Sequence, residues 1–247
     1  MQFCGNQTAK NMQNISPPVL YLIPVPIAEG DLDWIIPLNV KNEIINLQYF
    51  IVENAKSARQ FLKQVNPDIN WGEIVIVEMD KHKGYEQNED ILNIMKSSHK
   101  VGLMSEAGMP CIADPGHHIV RLAQSKGWKV KPMVGPSSIL LALISSGMNG
   151  NCFKFNGYLP SKPDERKKAL QQLEKESQSC TQLFIEAPYR NDKMINDLLQ
   201  VLKPETRLLI AWDITGSHEN LISKKVSEWR KNKPEIGKVP TLFAIGI

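Results

Sequence analysis

Residues 104–119, MSEAGMPCIADPGHHI, bring two carboxylates, a thiol, two imidazoles and four turn-forming Gly or Pro residues into one short stretch. Carboxylates and imidazoles suit proton transfer, a thiol suits nucleophilic attack, and Gly or Pro lets main-chain groups approach a ligand closely. Not every one of these residues reads as chemical. Cys111 has no basic neighbour in sequence to favour its thiolate, so it reads as a small packing residue. His117 and His118 fall in the first turn of a predicted helix, without an identifiable partner, and read as structural. Asp114, just before Pro115 and Gly116, reads as a helix N-terminal cap or turn former. Glu106 ends an apolar run, as do Glu53 and Glu186, and these three are the catalytic candidates. Glu53 also suits a helix N-terminal dipole.

The surrounding loops narrow the ligand. There is no G-x-x-x-x-G-K-[ST], no strand-linked G-x-G-x-x-G, no G-x-S-x-G and no H-E-x-x-H, so the standard phosphate, dinucleotide, hydrolase and zinc signatures are missing. No metal site is expected. What stands at strand ends is "PVPIAEG" (24–30), "SEAGMP" (105–110) and "VGPSSI" (134–139), each rich in Pro or Gly. In open α/β sheets such loops line the ligand crevice, and a ligand here would be held largely by backbone groups.

The elements that would position these loops follow from periodicity. Short apolar runs at 19–24, 49–52, 74–77, 101–104 and 129–134 read as strands. Between them Ala58, Phe61, Leu62 and Val65, then Ile91, Ile94 and Met95, keep helical spacing. The alternation predicts a mainly parallel sheet with helices on both faces. "SILLALISSG" is apolar on most sides and predicts a buried helix ending at Gly147. After "MNGNC" (148–152) a second set of strands follows at 152–159, 182–185, 208–212 and 240–247, with helical patterns around Leu170 and Leu198. The expected architecture is α/β: a mobile extension at 1–18, an α/β domain at 19–148 and a second at 149–247.

Composition agrees with a folded chain of this kind: 247 residues, 42% hydrophobic and 22% charged, with net charge +3. No apolar run approaches the ~18 residues of a membrane-spanning helix, so no membrane association is expected. Four widely spaced cysteines without a C-x-x-C pair argue against a disulfide framework and for a reduced, cytoplasmic setting. Local charge is more telling than the total. "KPDERKK" (162–168) directly follows the strand at 152–159 and offers Arg166, Lys167 and Lys168, with Arg190 a further candidate, as phosphate contacts; the run at 224–233 reads as a solvated helix.

Four motifs resemble a known family: "LYLIPVPI" (20–27), "VGLMSEAGMPCIADPGHHIVR" (101–121), "PMVGPSSILLALISSGM" (132–148) followed by "FNGYLPSK" (155–162), and "FIEAPYR" (184–190). With "IAWDITGSHEN" (210–220) they keep the order and spacing of the tetrapyrrole methylase superfamily, most closely its small-subunit ribosomal RNA 2'-O-ribose methyltransferase branch. The resemblance implies a methyltransferase that binds S-adenosyl-L-methionine between two α/β domains, acts on RNA of the small ribosomal subunit, and forms a homodimer. It implies cofactor contacts from Pro24, Pro26 and Ile27; from Ser105, Ala107, Gly108, Met109, Pro110 and Ile112; and from Ser137, Ser138 and Ile139. Ala187, Ala211, Pro240 and Thr241 would complete the site from the second domain.

Departures from the branch accompany the match. "VENAKSAR" (52–59) keeps Glu53 but has Asn54, Ala55 and Lys56 where an acid and Thr-Arg are typical. Tyr189 replaces a common His, Trp212-Asp213 an Arg-Glu, and Pro240 an acid. The set marks a divergent subgroup. Two other readings stand beside the RNA one: a methyltransferase for a tetrapyrrole-like small molecule, and a cofactor-binding interaction protein without catalysis.

Overall fold

The computed structural model describes residues 17–79 and 89–247. Most of the expected extension at 1–18, with Cys4, lies outside the described residues. The first domain runs β1 (Val19–Leu22), α1 (Leu32–Ile35), α2 (Leu38–Ile45), β2 (Tyr49–Val52), α3 (Ala55–Val65), β3 (Val75–Glu78), α4 (Glu89–Ser97), β4 (Lys100–Met104), α5 (His117–Ser125) and β5 (Lys129–Pro132). Its five strands are all parallel, in the order β3-β2-β4-β1-β5. Connections leave β1 and β4 in opposite directions across this sheet, which opens a crevice at their C-terminal ends.

Alternation along each strand splits the core. Tyr21, Ile23, Phe50, Val52 and Met104 pack on one face against α2 and α3, while Leu20, Ile51, Val101 and Leu103 pack on the other against α4 and α5. The helical faces predicted from spacing are the buried ones: Ala58, Phe61, Leu62 and Val65 on α3, and Ile91, Ile94 and Met95 on α4. Gly102 in β4 has a packing reason. A Cβ there would sit 2.5 Å from Ile23 Cδ1 and 2.9 Å from the Phe50 ring.

The second domain runs β6 (Phe153–Tyr158), α7 (Pro163–Glu176), β7 (Thr181–Glu186), α8 (Asn191–Val201), β8 (Arg207–Trp212), β9 (Asn220–Lys225), α9 (Val226–Lys231) and β10 (Thr241–Gly246). Its sheet order is β6-β7-β10-β8-β9, with only β6 and β7 parallel. Phe184, Leu208, Ile210, Phe243 and Ile245 face α7, α8 and α9, and the alternate Leu183, Leu209, Ala211, Leu242 and Ala244 face the other way.

What covers that second face corrects two expectations. The helix α6 (Ser138–Ser146) precedes the expected boundary at 148/149, yet its Ile139, Ala142 and Leu143 pack on the second sheet. The chain therefore crosses between domains at residues 133–137, before the helix. Nor is α6 buried on most sides, because only one of its faces meets a sheet: Leu140 is 45% and Ile144 77% exposed. It ends, as its sequence indicates, at a left-handed Gly147 with φ 69°.

Candidate active site

Three loops of the first domain meet because their strands are neighbours: β1 lies between β4 and β5. The loop after β1 is zipped to the loop after β4 by reciprocal backbone hydrogen bonds, Val25 N–H to Gly108 O at 2.9 Å and Gly108 N–H to Val25 O at 3.1 Å. Gly108 needs φ +67° to make that turn. The loop after β5 leads into α6, where Ser137 is the N-cap and its hydroxyl accepts from Leu140 N–H at 3.5 Å. Ser137 both caps α6 and lines the cleft.

Between these loops and the second domain lies a cavity of about 670 Å³, within the usual range for a small-molecule site. Ten of the residues implied by the family motifs line it: Ile27, Ala107, Gly108, Met109 and Ile112; then Ser137, Ser138 and Ile139; and Pro240 and Thr241 from the second domain. Among the described residues its wall holds four carboxylates, Glu29, Asp114, Glu186 and Asp213, and no Lys or Arg. Such a wall repels phosphate and favours a ligand carrying positive charge. Small side chains at Ala28, Ala107, Gly108 and Ala113 leave main-chain groups accessible beside it.

Two strained loops face each other here. Among the described residues, the non-glycine residues with positive φ are Cys111 (70°) and Ala113 (64°) after β4, and Asp213 (49°) and Thr215 (71°) after β8. Strain of this kind costs about 1–3 kcal/mol per residue and clusters where a ligand is held. Asp213 is braced by His218 N–H, which donates to its Oδ2 at 2.8 Å, and Thr215 N–H donates to Glu219 Oε2 at 2.7 Å. Glycine at 30 lets the first domain meet this loop: a Cβ there would lie 2.8 Å from Thr215 O.

Glu186 is the most buried carboxylate of the cavity, 3% exposed. Its Oε1 is ion-paired with Arg190 Nη2 at 2.5 Å and accepts from Ala187 N–H at 2.7 Å. Its Oε2 is buried and has no donor among the described residues.

A second cavity, about 480 Å³, opens on the other side of residues 27–29, which both cavities share. It is lined by Ser57, Gln60, Phe61 and Gln64 of α3 and by Pro26, Ser105 and Glu106 from the loops. Glu106 is exposed to it, and the Glu106 N–H donates to Glu53 Oε2 at 3.3 Å. Asn54 is the N-cap of α3, its Oδ1 accepting from Lys56 N–H at 2.9 Å and Ser57 N–H at 3.1 Å. The departure at Asn54 thus keeps a good helix cap while removing a charge. Outside the cavity α3 exposes Lys56, Arg59 and Lys63 at i, i+3, i+7, one basic face. In sequence this face is marked by charge at helical spacing rather than by a continuous charge run such as 162–168 or 224–233.

Other expected site residues are elsewhere. Pro24 is buried against Gly135, whose Cβ would overlap it at 2.3 Å. Pro110 is buried, Ala211 is 0% exposed in the second core, and Ala187 serves as the N-cap position of a 3-10 turn, so none of the four lines either cavity. Pro26 and Ser105 line the second cavity rather than the first. Asp114 does not cap α5; the N-cap is Gly116, and the Asp114 carboxylate borders the main cavity. Burial, with Asp114 as a second cause, pushes the Cys111 thiol up to about 11, consistent with a packing role. His117 and His118 stack tilted on each other at 3.7 Å in the first turn of α5.

Two expected phosphate contacts are committed internally. Arg166 is 4% exposed, with Nη2 2.6 Å from Asp197 Oδ2 and Nη1 donating to Ser161 O at 2.7 Å. Arg190 is taken by Glu186. Lys167 and Lys168 remain at the surface. In the run at 224–233, Lys225 pairs with Glu205, Arg230 donates to the carbonyls of Leu199 and Leu202, and Lys224 lies over the Trp229 ring. Among the described residues no group of three His, Cys, Asp or Glu is gathered as for a metal ion, and no helix is long and apolar enough to cross a membrane.

Comparison with known proteins places these features in a family. The profile described as Tetrapyrrole (Corrin/Porphyrin) Methylases matches residues 41–229. Proteins named ribosomal RNA small subunit methyltransferase I are similar: that of Vibrio cholerae is 29% identical over 85% of this chain and 70% of its own length. That of Pseudomonas aeruginosa is 30% identical over 87% of this chain and 72% of its own length. A solved cobalamin biosynthetic enzyme, cobalt precorrin-4 methyltransferase, shares the fold with TM-score 0.57 over 92% of this chain and 94% of its own, at 14% identity.

Proposed function

This chain belongs to the tetrapyrrole (corrin/porphyrin) methylase family of S-adenosylmethionine-dependent methyltransferases, and on that premise we propose that it methylates a ribose 2'-hydroxyl of small-subunit ribosomal RNA. The observation that carries the reading is the pair of cavities meeting at residues 27–29, one shaped for a cationic small molecule and the other flanked by a basic helix. S-adenosylmethionine has a sulfonium and an ammonium and no phosphate, which fits a wall that holds four carboxylates and no Lys or Arg among the described residues. When bound it supplies a methyl group already activated by sulfur. Ala107 and Gly108 of the first domain, Ser137 of the crossing segment, and Ser138 and Ile139 of α6 hold it, with the Glu186 carboxylate in the same wall.

The acceptor approaches through the second cavity. Gln60, Gln64 and Ser57 offer both donors and acceptors there, the kind of adaptable edge that recognises an unstacked base. Alignment of the hydroxyl within attack distance lowers the barrier by at most about 7–11 kcal/mol. Glu106, exposed to this cavity, accepts the hydroxyl proton, a contribution of roughly 10²–10⁴-fold. Glu53 acts through Glu106: by receiving its N–H it is a positioning residue. Lys56, Arg59 and Lys63, with Lys167 and Lys168, meet RNA phosphates. The names of the similar bacterial proteins support RNA as the acceptor.

The second copy implied by the family resemblance finds support in Val134, Leu140 and Ile144, 71%, 45% and 77% exposed around α6. The test of the acceptor is incubation with methyl-labelled S-adenosylmethionine and bare or subunit-assembled small-subunit rRNA, then nuclease digestion and mass analysis. A labelled 2'-O-methyl nucleoside is the expected product. Label confined to small molecules of a cell extract would replace RNA with a small acceptor, and cofactor binding with no turnover on any acceptor would remove catalysis.

A further inference from the structure

Two cysteines that lie far apart in sequence come together at the edge of the second sheet. Strands β6 and β7 are parallel neighbours with Phe153 opposite Thr181, so Cys152 and Cys180 stand side by side just before them. Thr181 N–H donates to Cys152 O at 2.9 Å, and Thr181 Oγ1 donates to Asn149 O at 2.8 Å, which fixes the segment before β6 against the start of β7. The register sets the two residues opposite each other, and the neighbouring Cys152 thiol, ahead of burial, raises the Cys180 thiol above its usual range. Adjacent strands run about 4.8 Å apart, inside the Cα window of roughly 4.4–6.8 Å in which a disulfide closes without moving the backbone. Cys152 is exposed and Cys180 half-buried, so an incoming reagent reaches the first and the second waits beside it.

We propose that Cys152 and Cys180 form a reversible dithiol–disulfide site that exchanges with low-molecular-weight disulfides. The Cys152 thiolate attacks a sulfur of the small disulfide, forming a mixed disulfide and releasing one thiolate. Cys180, after giving its proton to solvent, attacks the Cys152 sulfur, closes the protein disulfide and releases the second thiolate. Two protein thiols are oxidised and one small disulfide is reduced to two thiols. The bond would tie the segment before β6 to the start of β7 and enclose α7 in a covalent ring. This site stands outside both cavities and does not depend on the acceptor proposed above.

The experiment incubates the full chain, folded or unfolded in urea, with oxidised glutathione, blocks remaining thiols with an alkylating reagent, and maps the linked peptides by mass. The folded chain is expected to give Cys152 linked to Cys180 at least about tenfold over any other pair, because the fold supplies a high effective concentration. The unfolded chain should lose that preference. In Cys180→Ser the folded protein should instead stop at glutathione on Cys152. Glutathione persisting on Cys152 of the wild type, or a folded chain whose pairing matches the unfolded one, would overturn the proposal.

Discussion

On one side of residues 27–29 the cavity wall is made of backbone turns, small side chains and fixed carboxylates; on the other it is made of long amides, a hydroxyl and an open carboxylate beside a basic helix. The first side spends strain to hold its shape, with positive φ at Ala113 and Asp213 in its lining. The second has side chains that rotate. A site that must hold one small molecule in one pose gains from rigidity, whereas a site that meets a large acceptor gains from groups that adjust. The departures from the ribosomal RNA branch at Asn54, Ala55 and Lys56 fall on the second side, at the start of α3.

Changes on either side should therefore separate. The largest effect is expected from Glu106→Gln, which should lower kcat by roughly 10²–10⁴-fold while calorimetry finds cofactor affinity unchanged. Equal loss of cofactor affinity would join the two cavities into one function. Next is Gly108→Val. The nearest atoms to its Cβ are Pro136 O at 3.7 Å and Ile27 Cγ1 at 3.9 Å, so space is ample and the cost comes from φ +67°. Strain of about 1–3 kcal/mol should weaken cofactor binding by about five- to 150-fold, with RNA binding retained.

Replacing Lys56, Arg59 and Lys63 with Ala should flatten the plot of log RNA affinity against log salt by up to about 2 units, at roughly 0.7 per phosphate contact. Cofactor calorimetry should not respond. An unchanged slope would take α3 out of the acceptor site. The smallest effect concerns Cys111, whose thiol is held up to about 11 by burial and then by Asp114. A raised thiol pKa leaves the neutral form dominant at all pH values well below 11, so alkylation at pH 8 should be slow at Cys111 and fast at exposed Cys152. Equal rates would show that the loop after β4 opens.

Much of the first side was legible in sequence because its parts are local. Strand ends, Gly and Pro mark the loops after β1, β4 and β5, and neighbouring strands then bring those loops together. The helical faces of α3 and α4 were equally plain, since spacing reports burial directly. Long-range facts were not. Period-two alternation gives strands without direction, so the antiparallel pairing of β10 with β7 and β8 was invisible. Strand β9 escaped because Asn220–Lys225 is half-buried and polar at its ends. Apolar content placed α6 in a core but could not say which sheet it would meet. The charge run at 162–168 announced Arg166 as a surface group, and Arg190 stood beside it as a further cation, whereas Asp197 and Glu186 draw both inward. Cys152 and Cys180 likewise meet only through strand register.

The central claim, that the larger cavity holds S-adenosylmethionine independently of the acceptor side, is tested most directly by calorimetry on Ala107→Trp. Ala107 is exposed and lines only that cavity, so an indole there fills ligand space without disturbing a core. Titration with S-adenosylmethionine should show binding to the wild type and a loss of at least about tenfold, or 1.4 kcal/mol, in the variant, with the salt dependence of RNA binding unchanged in both. Wild-type affinity in Ala107→Trp would contradict the account.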